Sequence, residues 1–174
     1  PACGLPQLRE SIAAYYQRFY KVQVDPRQVV VTPGGSGALG LLTALLFNPG
    51  DGVLLTDPGY PCNSNFLHLL GAVPQSVPVD EKDRFQLSVQ LAKEHWQPNT
   101  RGALIASPSN PTGTLLPFDE LVGIQKFISQ RKGVLLVDEI YQGLTYGSET
   151  SGSTAGARGA TTAMALQAED TFVI

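Results

Sequence analysis

The chain has 174 residues, 43% of them hydrophobic and 16% charged, and a formal net charge of −3. This length suits one domain, and no basic block offers the positive surface that nucleic acids or anionic membranes require. The longest apolar stretch, residues 38–47, contains Gly40 and Thr43 and is too short to cross a bilayer, so neither nucleic acid nor membrane is an expected partner.

Hydrophobic periodicity predicts helices and strands in regular alternation. The first helix begins at Pro6, a residue favoured in first turns, and its apolar positions recur to about Tyr20. The β-branched run 29–32 predicts a strand buried on both faces, after which residues 33–37 turn the chain into a second helix. This second helix covers residues 38–47, and the later predicted helices are 63–70, 87–96 and one opened by Pro117. The later predicted strands are 53–56, 72–79, 103–106, 134–137 and 171–174.

This alternation predicts an α/β fold with a mostly parallel sheet and helices on both faces, an α/β/α sandwich. Residues 148–162 are rich in Gly, Ser, Thr and Ala and predict a mobile surface loop, with a functional lid as the alternative. The sequence stops within the predicted strand 171–174, which suggests a fragment of a longer protein.

Cysteines and histidines are few. Cys3 and Cys62 cannot form a disulfide framework, so we expect reduced thiols, buried or half-buried, in a cytoplasmic protein. His68 and His95 stand alone, without a Cys or His at ligand spacing, so we expect no metal site.

Polar loops follow four predicted strands, and ligands of open α/β sheets bind beyond the carboxyl ends of strands. In the first loop, Gly34 and Gly35 let the backbone approach a ligand, while Ser36 adds a hydroxyl donor that can also cap the helix. Free N–H groups at the start of the helix favour phosphate. A plain tight turn explains the same residues equally well.

Two nucleotide-binding motifs also contain a glycine-rich loop between a strand and a helix. Gly35, Gly37 and Gly40 match the Gly-x-Gly-x-x-Gly spacing of dinucleotide-binding proteins, but only Asp57 offers the acidic residue expected further on. A P-loop would require a lysine after Gly40, where the sequence has Leu41. The first motif is weak evidence and the second is excluded.

The other three loops each offer one chemical group. Tyr60 follows a strand and either packs in the core or stacks on a flat ligand. Asn110 is held between Pro108 and Pro111, in a turn that geometry alone could also explain. Asp138 ends a hydrophobic strand, where a carboxylate is costly unless a cation or strong donor meets it, so it is the strongest functional candidate.

Taken together, the ordered motifs closely resemble the class I/II aminotransferases, which are pyridoxal 5′-phosphate (PLP) enzymes of fold type I. The matching segments cover nearly the whole chain: Gly4-Leu5-Pro6-Gln7-Leu8-Arg9, Val31-Thr32-Pro33-Gly34-Gly35-Ser36, Pro49-Gly50-Asp51, Pro58-Gly59-Tyr60, Ser109-Asn110-Pro111-Thr112-Gly113 and Asp138-Glu139-Ile140-Tyr141.

The resemblance implies a role for each candidate residue. Gly34, Gly35 and Ser36 look like the cradle of the PLP phosphate, and Tyr60 like the ring that stacks on the pyridine. Asn110 and Tyr141 resemble the pair that hydrogen-bonds the phenolic oxygen of PLP. Asp138 resembles the carboxylate that meets the pyridine nitrogen, which favours the protonated ring and makes it a better electron sink. Asp138 and Tyr141 are thus the expected catalytic residues.

The resemblance also implies that residues 1–174 are an incomplete PLP-binding large domain. The family's catalytic lysine would follow residue 174, as would its phosphate-binding and substrate-binding arginines and its small domain. An N-terminal arm with a tyrosine that reaches the neighbouring subunit would precede Pro1. We therefore expect a fragment that is inactive alone and a full-length homodimer.

The function implied is transfer of an amino group from an amino acid to a 2-oxo acid. Two alternatives stay open: a PLP-dependent β-lyase or decarboxylase of the same fold, and the non-catalytic aminotransferase-like module of a transcription regulator.

Overall fold

The computed structural model describes residues 1–145 and 161–174. Within these residues, five parallel strands form one sheet in the order β2-β1-β3-β4-β5. The strands are β1 Gly52–Asp57, β2 Val73–Pro78, β3 Thr100–Ala106, β4 Val134–Asp138 and β5 Thr171–Val173. The helices are α1 Pro6–Tyr20, α2 Gly34–Leu46, α3 Pro61–Leu69, α4 Val89–His95 and α5 Phe118–Ser129, with short 3₁₀ turns at Pro26–Gln28, Glu81–Asp83, Gln142–Leu144 and Ala163–Leu166.

Helices cover both faces of this sheet, which confirms the predicted α/β/α sandwich. Successive side chains of a strand point to opposite faces, so each central strand contributes to two cores. Leu54, Ile105 and Leu135 pack on the side of α4 and α5. Leu55 and Leu104 pack on the side of α2 and α3. Each fully buried aliphatic side chain stabilises the fold by about 1.5–3 kcal/mol, and this double core fixes the strand ends in place.

Helix α1 belongs to a smaller, third cluster. Its Ala13 packs with Val22 and Val24 of the following segment, and Tyr16 and Met164 lie against them. The predicted start at Pro6 is confirmed, because Pro6 occupies the first helical position. Helix α1 is thereby joined to the 3₁₀ turn Ala163–Leu166, which precedes β5.

The β-branched run 29–32 was wrongly predicted to be a strand buried on both faces. Val30 is 49% exposed, and none of the five strands of the described sheet includes this segment. Val31 makes one backbone hydrogen bond, from its N–H to the Cys3 carbonyl at 3.1 Å. β-branched residues favour an extended backbone, but burial and pairing require a neighbouring strand.

The start of α2 also differs from the prediction, because the helix begins at Gly34 and not at Ala38. Pro33 is the N-cap, and Gly34 has a φ of +74°, which a residue without Cβ adopts at little cost. The glycine-rich motif is therefore the first turn of the helix and not a loop before it.

The predicted mobile stretch 148–162 lies mostly outside the described residues, which resume at Thr161. At the described end of the stretch Thr161 is exposed, whereas Thr162 is fully buried and does not lie on the surface. Its small polar composition predicted exposure, whereas a hydrogen bond to Glu139 holds it in the interior.

Both cysteines are free. Cys62 is half-buried as expected, whereas Cys3 is exposed, contrary to the prediction of buried thiols. No helix among residues 1–145 and 161–174 is long and apolar enough to cross a membrane.

Candidate functional site

The predicted site residues follow the carboxyl ends of three neighbouring strands. Asp57 ends β1, and Tyr60 is the N-cap of α3 three residues later. Asn110 follows β3, and Asp138 is the last residue of β4. Because parallel strands end at the same edge of a sheet, the fold brings these side chains to one side of the molecule.

Two cavities at this edge of the sheet are lined by candidate residues. Tyr60 and Asn110 both line a cavity of about 290 Å³, whose floor includes Leu55 and Leu104. Asn110 and Tyr141 both line a second cavity of about 430 Å³. Asn110 thus lines both cavities, one with Tyr60 and the other with Tyr141, and Asp138 lines neither.

The N-terminus of α2 lies beside the ends of β4 and β5. A Cβ placed on Gly35 would lie 3.8 Å from Ile140 Cδ1 and 3.7 Å from Ile174 Cγ2. No side chain caps this helix, and the first N–H groups of a helix have no partner within it. The Gly34 N–H donates to the Thr32 carbonyl at 2.7 Å, which leaves the N–H groups of Gly35 and Ser36 free among the described residues. These N–H groups, with the positive end of the helix dipole, form an arrangement that binds anions such as phosphate.

Ser36 does not cap α2, contrary to the prediction, because it is the third residue of the helix and Pro33 is the N-cap. Its side chain is exposed in the first turn, beside the free N–H groups. The hydroxyl is therefore available to an anion bound at this helix end.

Tyr60 does not pack in the core, since 38% of its surface is exposed. The pKa of the Tyr60 hydroxyl is raised, mainly by its side-chain hydrogen bond with the nearby Cys62 thiol. Desolvation and the negative charge of the nearby Asp138 carboxylate raise this pKa further, because both oppose ionisation of the phenol. The ring is thus exposed, neutral at physiological pH and close to Asp138.

Asp138 is half-buried, and burial is the main cause that raises the pKa of its carboxyl group. Oδ1 accepts a hydrogen bond of 3.1 Å from the Ile140 N–H, which offsets part of this effect. No Lys, Arg or His among the described residues forms an ion pair with this carboxylate. A carboxylate in such a place gains free energy when a cationic or strongly donating ligand binds.

The loop that carries Asn110 is held by backbone hydrogen bonds. The Ser109 N–H donates to the Thr114 carbonyl at 2.9 Å, and the Gly113 N–H donates to the Ser109 carbonyl at 2.8 Å. The half-buried Asn110 amide makes no hydrogen bond to another described residue within the site. It is a fixed group with free donors and acceptors.

Glu139 is a polar residue whose importance the sequence patterns did not reveal. It is 7% exposed and accepts hydrogen bonds from Thr162 Oγ1 at 2.7 Å and from the Ala163 N–H at 2.5 Å. Burial raises its pKa, and these hydrogen bonds lower it partway. Burial, with a smaller effect of the Glu139 charge, raises the pKa of Tyr16 to about 12. Glu139 thus fixes the end of β4 to the 3₁₀ turn Ala163–Leu166.

A pH dependence follows from the raised pKa of Asp138. A carboxyl group whose pKa is higher in the folded state binds its proton more tightly there. Ionisation of Asp138 therefore lowers the free energy of unfolding. This loss is absent below about pH 4, the usual pKa of Asp, and is complete above the raised pKa of the folded state. Asp138→Asn should raise the free energy of unfolding of the cofactor-free intact protein most at neutral pH and least near pH 4. Urea unfolding across this range measures the difference, and an equal gain at all pH values would contradict desolvation of Asp138.

The known proteins to which this chain is similar are aminotransferases. The family described as aminotransferase class I and II matches residues 1–174. The valine–pyruvate aminotransferase of Mycobacterium tuberculosis is 42% identical over 145 residues, which are 83% of this chain and 37% of that protein. A probable aspartate/prephenate aminotransferase of Aquifex aeolicus is 35% identical over 147 residues, covering 84% of this chain and 37% of the relative.

Solved structures agree. A crystal structure of an aminotransferase from Mycobacterium tuberculosis superposes with a TM-score of 0.88 at 36% identity, covering 99% of this chain and 44% of that one. The aspartate aminotransferase of Thermus thermophilus with maleate gives a TM-score of 0.87 at 26% identity, covering 99% and 43%. The chain thus spans about two fifths of the length of the proteins it matches. The family match covers all 174 residues of the chain, and the chain shares its fold with these structures. The chain therefore belongs to the class I and II aminotransferases.

Proposed function

We propose that the chain is the cofactor-binding part of a PLP-dependent aminotransferase, which transfers an amino group from an amino acid to a 2-oxo acid. The observation that carries this proposal is the half-buried carboxylate of Asp138, which ends β4 without a cationic partner among the described residues. A protonated pyridine nitrogen is a partner of the required charge and hydrogen-bonding type.

The described residues fit PLP at each of its polar positions. Its phosphate suits the uncapped N-terminus of α2, where Gly34 leaves open space and Gly35 lies beside the end of β4. Its flat ring suits the exposed face of Tyr60, and its phenolic oxygen suits the amide of Asn110 and the hydroxyl of Tyr141. When bound, PLP supplies an electron sink for the carbanion formed at the α-carbon of the substrate.

Each residue has a distinct part in this proposal. The α2 N–H groups and Ser36 hold the anionic end, which sets the depth of the ring. Tyr60 covers one face of the ring and excludes water from it. Asn110 and Tyr141 fix its in-plane orientation through hydrogen bonds. Asp138 holds a proton on the ring nitrogen, because a half-buried carboxylate favours a neighbouring cation.

The amino donor and acceptor are proposed only as classes. The relatives carry different names, valine–pyruvate aminotransferase and aspartate/prephenate aminotransferase, at 42% and 35% identity. We therefore propose an amino acid and a 2-oxo acid as substrates without choosing among them. The homodimer and the cytoplasmic location stay predictions.

A single half-reaction tests this function. The intact protein, loaded with PLP, is mixed with a panel of amino acids without any 2-oxo acid. An aminotransferase converts one equivalent of its amino acid to the 2-oxo acid, while the absorbance of bound PLP changes to that of pyridoxamine phosphate. Release of ammonia would instead indicate a β-lyase, release of CO₂ a decarboxylase, and binding of PLP without any reaction a non-catalytic module.

The Ser36→Ala variant tests the phosphate site. Loss of a hydrogen bond to a charged group costs roughly 1–2 kcal/mol, so we expect PLP to bind about tenfold more weakly. Titration of the cofactor-free intact protein with PLP measures this, and Ser11→Ala, on the exposed surface of α1, is the matched control. Equal PLP affinity in Ser36→Ala and wild type would remove Ser36 from the phosphate site.

A further inference from the structure

The cavity between Tyr60 and Asn110 contains a buried polar group that none of the proposed roles uses. Asn63 lines this cavity of about 290 Å³, in the first turn of α3. Its side chain is 7% exposed, and its Oδ1 is buried without a hydrogen-bond partner among the described residues. The backbone of Asn63 is held in place, because its N–H donates to the Tyr60 carbonyl at 3.1 Å.

Such a group is unusual in a folded protein. Buried polar side chains are almost always hydrogen-bonded, because an unpaired amide loses its contacts with water and gains nothing in return. Most of the other polar residues around this cavity carry hydroxyl or amide groups, among them Ser76 and Ser109. A buried amide oxygen without a donor on the wall of a polar cavity is suited to a ligand that donates the missing hydrogen bond.

The position of Asn63 relative to Tyr60 indicates which part of the ligand it meets. Tyr60 is the N-cap of α3 and Asn63 lies in its first turn, and both side chains line the same cavity. A flat ligand that stacks on Tyr60 therefore presents its edge to the same wall. We propose that Asn63 is a further binding residue, whose Oδ1 accepts a hydrogen bond from the protonated nitrogen edge of the pyridine ring, which it shares with Asp138. The proposal rests on the proposed function, since it takes PLP as the ligand.

The Asn63→Leu variant separates this role from a merely structural one. Leucine has a similar volume and needs no hydrogen bond, so the cofactor-free intact protein should be as stable as wild type or more stable. PLP should nevertheless bind about tenfold more weakly, because the hydrogen bond to the ring is lost. Free pyridoxal, which lacks the phosphate, should lose the same factor, whereas Ser36→Ala should weaken PLP and leave pyridoxal unchanged.

Asn65→Leu is the matched control, because Asn65 is exposed on the same helix two residues away and should not affect either ligand. Asn63→Ala repeats the titrations should the leucine variant not fold. Unchanged affinity for PLP in a folded Asn63 variant would overturn the proposal, as would a loss confined to PLP, which would place Asn63 at the phosphate end. If the wild-type protein binds neither ligand, the proposed function itself fails.

Discussion

Asp138→Ala in the intact protein should reduce kcat by about a hundredfold or more while PLP still binds. The carboxylate is expected to hold a proton on the ring nitrogen, and a charge-assisted hydrogen bond is worth up to about 3 kcal/mol, which corresponds to roughly 150-fold in rate. The ring without that proton accepts electrons from the substrate carbanion less readily. Binding is less affected, because the α2 N-terminus, Tyr60 and Asn110 retain their contacts.

Steady-state kinetics of the PLP-saturated variant measure this effect, with PLP content determined from absorbance. Asp119→Ala is the matched control, because Asp119 is an exposed carboxylate in the first turn of α5 that lines neither of the two cavities. Asp138→Asn, which keeps the shape but not the charge, should lose nearly as much activity. Wild-type kcat in both Asp138 variants would contradict the role of this carboxylate.

The sequence was sufficient to predict the architecture. Short apolar strands such as 134–137 have no polar side and must be covered on both faces, which implies a parallel sheet between helices. It was also sufficient to select Asp138, because a carboxylate after such a strand requires an explanation. Tyr60 and Asn110 could be placed at the same edge for the same topological reason, before any distance was known.

Other features depended on contacts that local patterns do not encode. The run 29–32 has strong strand propensity, yet it lies outside the described sheet, since propensity does not specify a partner. Because glycine disfavours helices, the residue pattern predicts a turn at Gly34, whereas in the structure Gly34 has a positive φ and is the first residue of α2. Asn63 and Glu139 resemble ordinary surface residues in sequence, and only their burial reveals them.

Glu139→Ala should lower the free energy of unfolding of the intact protein by about 2–4 kcal/mol. The substitution leaves two buried donors, the Thr162 hydroxyl and the Ala163 N–H, without an acceptor, at about 1–3 kcal/mol each. The substitution also removes the buried Glu139 charge, and the free energy no longer spent on burying it offsets part of this loss. Urea unfolding of the cofactor-free protein measures the difference, and Glu169→Ala, at an exposed carboxylate, should change stability by less than about 0.5 kcal/mol.

Glu139→Gln distinguishes hydrogen bonding from charge at the same position. Glutamine keeps one acceptor oxygen, which can serve the Ala163 N–H, while its NH₂ group can donate to the Thr162 hydroxyl oxygen. It also removes a carboxylate whose burial raises its pKa, so the cost of ionisation above that pKa disappears. We therefore expect most of the stability lost in Glu139→Ala to be retained in Glu139→Gln, with the best agreement with wild type at neutral pH. A glutamine variant as unstable as the alanine variant would show that the negative charge itself holds the 3₁₀ turn Ala163–Leu166 against β4.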